Sequence, residues 1–181
     1  MRSMARNVLT DNHLKAIGLV AAEWSWTELC LENLIWEIAE INHYKGYAIT
    51  THLPSETRIN ILSALAHIGL ANAALQKELN AIVARIRQLR TERNNIVHAI
   101  WLSSKPRESL GLITGAMGKR RKPVPALFKI TAKGKIIMTS KPLTAKQIFT
   151  VGAEIAQLVT EMYDLLERIQ LHRKESTPSA T

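Results

Sequence analysis

The stretch LQKELNAIVARIRQLRTERNNIVHAIW, residues 75–101, decides the fold, because its apolar side chains recur every three or four positions. At about 3.6 residues per turn, this spacing places them on one face of an α-helix. The pattern predicts a helix that ends at about Trp101 and buries that face against other helices. Its apolar residues are Leu75, Leu79, Ile82, Ile86, Leu89, Ile96, Val97 and Ile100.

The same spacing predicts three more helices, each of which begins beside a residue suited to a helix start. The predicted ranges are 11–42, 54–70 and 144–173. Residues 43–47 break the first pattern, so they predict a loop, and the aromatic rings of His43, Tyr44 and Tyr47 could stack on a base there. The polar residues from about Lys174 predict a frayed tail over 174–181.

Residues 103–143 have a different composition, with glycines, prolines and two short β-prone runs. The segment LFKITAKGKIIM, residues 127–138, predicts a β-hairpin whose turn lies at 132–135. The sequence therefore predicts one domain over residues 1–181. Its predicted class is all-α: an antiparallel four-helix bundle with a small basic β-hairpin insert between helices 3 and 4.

Composition excludes several classes of protein. The 181 residues include a single cysteine, Cys30, which excludes an internal disulfide framework and a cysteine-rich zinc site. No apolar run reaches the ~18 residues that cross a bilayer, so we predict no membrane partner and a cytoplasmic location. The histidines outside the third helix show no metal-ligand spacing, so we predict neither metal nor cofactor.

The positive charge is concentrated in the insert. Residues 105–146 hold eleven basic residues and one acid, whereas the rest of the chain holds thirteen basic and fourteen acidic residues. Such a block suggests an anionic partner, most commonly a polyphosphate backbone; a solvated insert is the alternative. The densest candidate for phosphate contact is the cluster Lys119, Arg120, Arg121 and Lys122.

The segment from Arg90 to His98, RTERNNIVH, carries the chemistry. Arg93 continues the apolar register of the third helix, while Asn94 and His98 lie one turn apart on a neighbouring face. A histidine can move protons, an arginine can hold a phosphate, and an asparagine can orient either group. This set suffices for attack of an RNA 2′-hydroxyl on its adjacent phosphate. Alternatively, Arg93 pairs with an acid of helix 1, and His98 is a histidine that the helix dipole favours.

Residues 93–98, RNNIVH, resemble the R-x4–6-H signature of HEPN domains, including the polar residue after the arginine. The resemblance covers about residues 11–101 and 144–172. It implies a helical bundle that acts as a metal-independent endoribonuclease in toxin–antitoxin or antiviral systems, as a homodimer whose paired motifs line one cleft. It implies that Arg93 and His98 are catalytic and that Asn94 assists.

One HEPN toxin group carries, two residues after the histidine, a tyrosine that its nucleotidyltransferase antitoxin modifies. Ile100 stands at that position in this chain. The resemblance therefore allows a cognate antitoxin or regulatory protein as a partner, but not regulation by that modification.

Two further residues are candidates for a supporting role. Glu28 fills a gap in the apolar stripe of helix 1, so it could pair with Arg93 or tune His98; alternatively, it lies in water at the edge of the stripe. Arg90 begins the same segment as Arg93. The alternative function is a non-catalytic helical module that binds nucleic acid or a partner protein. A DNA-associated scaffold is a third reading, which no helix-turn-helix spacing supports.

Overall fold

A computed structural model describes residues 9–103, 125–132 and 136–176, and most of these residues are helical. The chain forms two compact units. Unit 1 comprises Met1–Ala21 and Thr91–Gly152, and unit 2 comprises Ala22–Arg90 and Ala153–Thr181. No helix in the described residues is both long and apolar enough to span a membrane. The predominance of helix confirms the all-α prediction. The basic cluster 119–122 lies outside the described residues.

The described residues contain five helices, four of which correspond to the four predicted. They are α1 (Asp11–Ile38), α2 (His43–Thr50), α3 (Ser55–Ile68), α4 (Ala73–Val97) and α5 (Ala145–Ser176). The prediction of a loop at residues 43–47 is wrong, because α2 occupies that segment. The prediction of a frayed end from Lys174 is wrong for residues 174–176, which continue α5.

Helix α1 ends four residues before the predicted position, through a Schellman motif. The Glu40 N–H donates to the carbonyl of Glu37 at 3.2 Å, and the Ile41 N–H donates to that of Trp36 at 3.0 Å. Glu40 has a φ of 57°, the left-handed conformation that this motif requires. Because glycine usually occupies this position and glutamate gives no such signal, the sequence pattern placed the helix end too late.

Helix α2 is held by the indole of Trp36 rather than by an apolar stripe of its own. Only Gly46 and Thr50 of this helix are buried. The Trp36 Nε1–H donates to Thr50 Oγ1 at 3.2 Å. A Cβ at Gly46 would meet the indole carbons at 2.6 Å, so only glycine allows the helix to approach this closely. Periodicity could not predict a helix whose stability comes from one tertiary contact.

In unit 1, α4 ends at Val97 and the chain enters a three-stranded antiparallel sheet with the order β1-β2-β3. The strands are β1 (Ile100–Ser103), β2 (Pro125–Ala132) and β3 (Ile136–Pro142). The pairing of Ala132 with Ile136 confirms the predicted hairpin. The predicted helix end at about Trp101 is wrong, because Ile100 already pairs with Phe128 of β2.

In unit 2, α4 runs antiparallel to α5. Glu78, early in α4, pairs with Arg168, late in α5, and Arg85 pairs with the earlier Glu161. Helix α3 also runs antiparallel to α4, as the polar pairs between these two helices show. These pairs are Arg87 with Asn60 and Arg90 with Glu56.

Helices α1 and α3 run in the same direction in unit 2, unlike neighbours in a simple up-and-down bundle. Ser55 bonds to Glu28, and a Cβ at Gly69 would lie against Ile38, so the contacts advance along both helices together. Helix α2 and its flanking residues carry the chain back between them. The predicted antiparallel bundle requires successive helices to run in opposite directions, and α1 and α3 do not. The prediction treated the segment between them as a loop, whereas α2 lies there.

Candidate active site

The predicted site lies in unit 1, where α4 gives way to β1. The backbone N–H of His98 still donates to the Asn94 carbonyl at 3.1 Å, so His98 keeps helical placement one residue beyond the end of α4. The Trp101 indole N–H donates to the Ile96 carbonyl at 3.2 Å. This bond satisfies one of the carbonyls that a helix end leaves without an intrahelical donor. The exposed imidazole of His98 therefore projects from a fixed backbone.

Arg93 is half-buried, and it lies on α4 between the buried residues Leu89 and Ile96. This placement agrees with the prediction that Arg93 continues the apolar register. A guanidinium in such a position needs hydrogen-bond acceptors, because burying an unsatisfied charge is unfavourable.

One guanidinium nitrogen connects the three predicted catalytic residues. Arg93 Nη1 donates to Asn94 Oδ1 at 2.9 Å and lies 2.8 Å from His98 Nε2. A guanidinium has no lone pair to offer, so Nε2 of His98 is the acceptor in this contact. The contact therefore requires a neutral imidazole whose proton is on Nδ1.

This arrangement combines a phosphate ligand with a proton acceptor. The Arg93 guanidinium can bind the oxygens of a phosphate in a fork, and Asn94 fixes the position of Nη1. His98 carries a lone pair on the nitrogen that faces Arg93. A phosphate that takes the donors of Arg93 would leave this lone pair available for a neighbouring hydroxyl proton.

Glu28 lies in unit 2 and belongs to a cluster of its own. Its carboxylate accepts hydrogen bonds from the Trp24 indole N–H at 3.0 Å and from the Ser55 hydroxyl at 2.5 Å, and Arg58 lies 3.7 Å away. The side chain is one-third exposed, so it is neither buried in the core nor free in water. Its proposed support of Arg93 or His98 stays a prediction.

Arg90, the other supporting candidate, also lies in unit 2 and pairs with Glu56 of α3. This contact joins two helices, so it gives Arg90 a structural role. The structure therefore brings together Arg93, Asn94 and His98, and it places Glu28 and Arg90 in two other polar clusters.

Sequence reasoning missed two residues that support the site in unit 1. His13 is buried; its Nδ1 lies 2.7 Å from Thr10 Oγ1, and its Nε2 donates to the Leu143 carbonyl at 3.2 Å. Its ring meets the Trp101 indole edge-on, with centroids 6.4 Å apart. His13 thus packs on the same indole that caps α4. The spacing from Thr10 to His13 is a helix-start signal that could have pointed to this contact.

Cys30 offers no second nucleophile. Burial raises the pKa of its thiol, and a hydrogen bond with Tyr163 offsets only part of that effect. A raised pKa keeps the thiol protonated at neutral pH, which makes it a poor nucleophile. Within the described residues, no group of three or more His, Cys, Asp or Glu side chains is arranged to hold a metal ion.

Comparison of the chain with family models, with curated proteins and with solved structures gives no match. The resemblance to HEPN domains therefore rests on the motif residues 93–98 of the sequence.

Proposed function

We propose that the chain is a HEPN-type, metal-independent endoribonuclease whose site is Arg93, Asn94 and His98. The observation that carries this proposal is the position of Arg93 Nη1, 2.8 Å from His98 Nε2 and 2.9 Å from Asn94 Oδ1. In this proposal α1, α3, α4 and α5 are the four helices of the HEPN bundle, and α2 with the parallel course of α1 and α3 is a departure from it.

The proposed reaction is attack of a ribose 2′-hydroxyl on the phosphate that follows it. Nε2 of His98 takes the hydroxyl proton while the new O2′–P bond forms and the P–O5′ bond breaks. Arg93 stabilises the additional negative charge on the phosphate oxygens in the transition state. The products are a 2′,3′-cyclic phosphate and a 5′-hydroxyl, whose oxygen must receive a proton as it leaves.

The leaving oxygen is the reason to propose a homodimer. We expect the acid for this step to be a second histidine in its protonated form, which gives its proton to the O5′ oxygen and returns to neutral imidazole, and the His98 of a second copy would supply it. In unit 2, Trp26 of α1 is 53% exposed, and we propose that this apolar side chain contacts the second copy. Light scattering at micromolar concentration should give a dimer, and Trp26→Glu should shift it toward monomer. A strictly monomeric wild type would contradict this part of the proposal.

A toxin-like or antiviral role, with a cognate antitoxin or regulatory protein, is the biological part of the proposal. Expression of the wild-type chain should arrest growth, and expression of His98→Ala should not. Co-expression of a protein encoded beside it should relieve the arrest if that protein is the antitoxin.

The test of the reaction is cleavage of single-stranded RNA in EDTA. Wild type should cut, and His98→Ala should not, while His67→Ala controls for loss of an exposed helix-end histidine. A substrate with 2′-deoxyribose at the scissile nucleotide should bind and remain intact. Cleavage of that substrate, or a strict requirement for magnesium, would exclude this mechanism. If wild type and His98→Ala both bind RNA and neither cuts it, the result would favour the non-catalytic binding module.

A further inference from the structure

Helix α2 presents aromatic rings to solvent that packing does not explain. Tyr44 is 91% exposed, which makes it the most exposed of the large hydrophobic side chains in the described residues. Tyr47, one turn later on the same face, is 50% exposed. The Tyr44 ring leaves a large apolar surface in contact with water. A bound partner that covered this surface would gain its burial.

The backbone beneath these rings is fixed. Thr50 Oγ1 accepts from the Trp36 indole and donates to the Gly46 carbonyl at 3.0 Å. One face of Tyr47 packs on the Trp36 indole with centroids 4.8 Å apart. Asn42 caps the first turn by accepting from the Lys45 N–H at 3.0 Å. Because α2 is already ordered, a partner that binds Tyr44 need not order the helix.

The charge around these rings favours an anionic partner. The sequence has no acidic residue between Glu40 and Glu56, and α2 carries the exposed Lys45. The two carboxylates that precede α2, Glu37 and Glu40, both pair with Arg173, at 3.3 and 3.2 Å. Exposed aromatic rings beside a cation are the combination that binds single-stranded nucleic acid.

We propose that Tyr44, Lys45 and Tyr47 form a docking platform for single-stranded RNA, which we call the α2 platform. The exposed ring of Tyr44 stacks on a base, Lys45 contacts a phosphate, and Tyr47, which contacts Trp36, offers a second ring one turn away. This inference rests on the proposed function in one respect only, that the nucleic acid is RNA. The stacking it describes is independent of the cleavage chemistry of Arg93 and His98.

The test measures the affinity of His98→Ala protein for a short single-stranded RNA that carries one 2-aminopurine, by fluorescence anisotropy and quenching. Adding Tyr44→Ala should weaken binding about tenfold and remove the quenching, whereas Tyr44→Trp should preserve both, because it retains a π-face. Lys45→Ala should reduce the slope of log K against log salt by about one phosphate contact. Ile49→Ala is the matched control, since Ile49 is an exposed apolar residue of α2 that cannot stack.

Unchanged affinity in Tyr44→Ala would overturn the platform, as would a wild type that binds no single-stranded RNA. An equal loss in Ile49→Ala would also overturn it, and would indicate an apolar surface for a protein partner. The two proposals remain separable. If the wild type cuts RNA and Tyr44→Ala binds and cuts equally well, only the platform fails. If binding depends on Tyr44 but the wild type does not cut, only the nuclease fails.

Discussion

Two half-buried arginines, Arg58 in unit 2 and Arg93 in unit 1, are held in contrasting ways. Arg58 Nη1 donates to the carboxylate of the buried Glu32 at 2.6 Å, and its Nη2 lies 3.7 Å from Glu28. Arg93 Nη1 instead donates to the amide oxygen of Asn94 and to the imidazole nitrogen of His98. The acceptors of Arg58 are negatively charged, whereas the two acceptors at Arg93 Nη1 are an amide oxygen and an imidazole nitrogen.

This difference is consistent with the proposed roles, in which Arg58 stabilises the fold and Arg93 binds the phosphate. A phosphate at Arg93 Nη1 would displace an amide oxygen and an imidazole nitrogen, while a ligand for Arg58 would have to compete with two carboxylates. Arginine content alone does not reveal this, because both residues lie on helices whose neighbouring positions are apolar. The partners of each side chain decide its role.

The largest expected effect is on cleavage. His98→Ala should lower the rate about 10²–10⁴-fold, because it removes the proton acceptor, and Arg93→Ala should cause a comparable loss of phosphate stabilisation. Both variants should keep the wild-type free energy of unfolding to within about 1 kcal/mol. Single-turnover cleavage and urea denaturation measure the two quantities, and Arg87→Ala controls for removal of an exposed arginine from α4. A loss of only a few-fold would indicate that these residues position the substrate and do not take part in the chemistry.

The second prediction is the converse for Arg58. Arg58→Ala should lower the free energy of unfolding by about 3–5 kcal/mol, since it leaves the buried carboxylate of Glu32 without its cation. Urea denaturation measures this loss. The double variant Arg58→Met with Glu32→Leu should recover much of the stability, because an apolar pair removes the buried charges together. If Arg58→Ala unfolds like the wild type, the contrast between the two arginines does not hold.

The sequence predicted the long helices and the hairpin because apolar spacing reflects burial directly. The buried residues Leu79, Ile86 and Leu89 lie where the pattern places them, and β2 pairs with β3 around the predicted turn. Adjacency of Arg93, Asn94 and His98 was also predictable, because helix geometry fixes the spacing of residues one to five positions apart. Local structure with a repeating period is what a single sequence reveals best.

The failures have a common cause, which is stabilisation by a contact distant in sequence. Helix α2 depends on the Trp36 indole, and the end of α4 depends on the pairing of β1 with β2. The turn after α1 places Glu40 in a left-handed conformation, and the sequence has no glycine there that would predict it. The spacing of apolar residues does not show which helices and strands contact one another in the fold.

A smaller effect is expected from the basic cluster, Lys119, Arg120, Arg121 and Lys122. Replacing all four residues with glutamine should weaken RNA binding and reduce its dependence on salt, because each phosphate contact releases about one counterion. The rate of bound-substrate cleavage should stay unchanged, since the proposed chemistry belongs to Arg93 and His98. Replacing Lys15 and Lys77, which lie outside the basic cluster in sequence, provides a control for charge alone, and an unchanged salt slope would show that the cluster makes no phosphate contact.

The smallest expected effect concerns an exposed ion pair, which contrasts with the half-buried Arg58 and its buried partner Glu32. Arg168 donates to both carboxylate oxygens of Glu78, and these hydrogen bonds lower the pKa of Glu78 below its usual value. A carboxyl whose pKa is lower in the folded state contributes stability when ionised, so the contribution is complete above about pH 5 and is lost as the pH falls through the lowered value. Because both side chains are more than one-third exposed, water and salt screen the pair, and its contribution should be about 0.5 kcal/mol.

Urea denaturation of wild type and Glu78→Gln should show this difference at pH 7 and none at a pH below the folded pKa. The control Glu154→Gln, which changes an exposed glutamate of α5, should show no difference at either pH. A difference that persists in acid would mean that Glu78 stabilises the protein through packing, and that its charge is irrelevant.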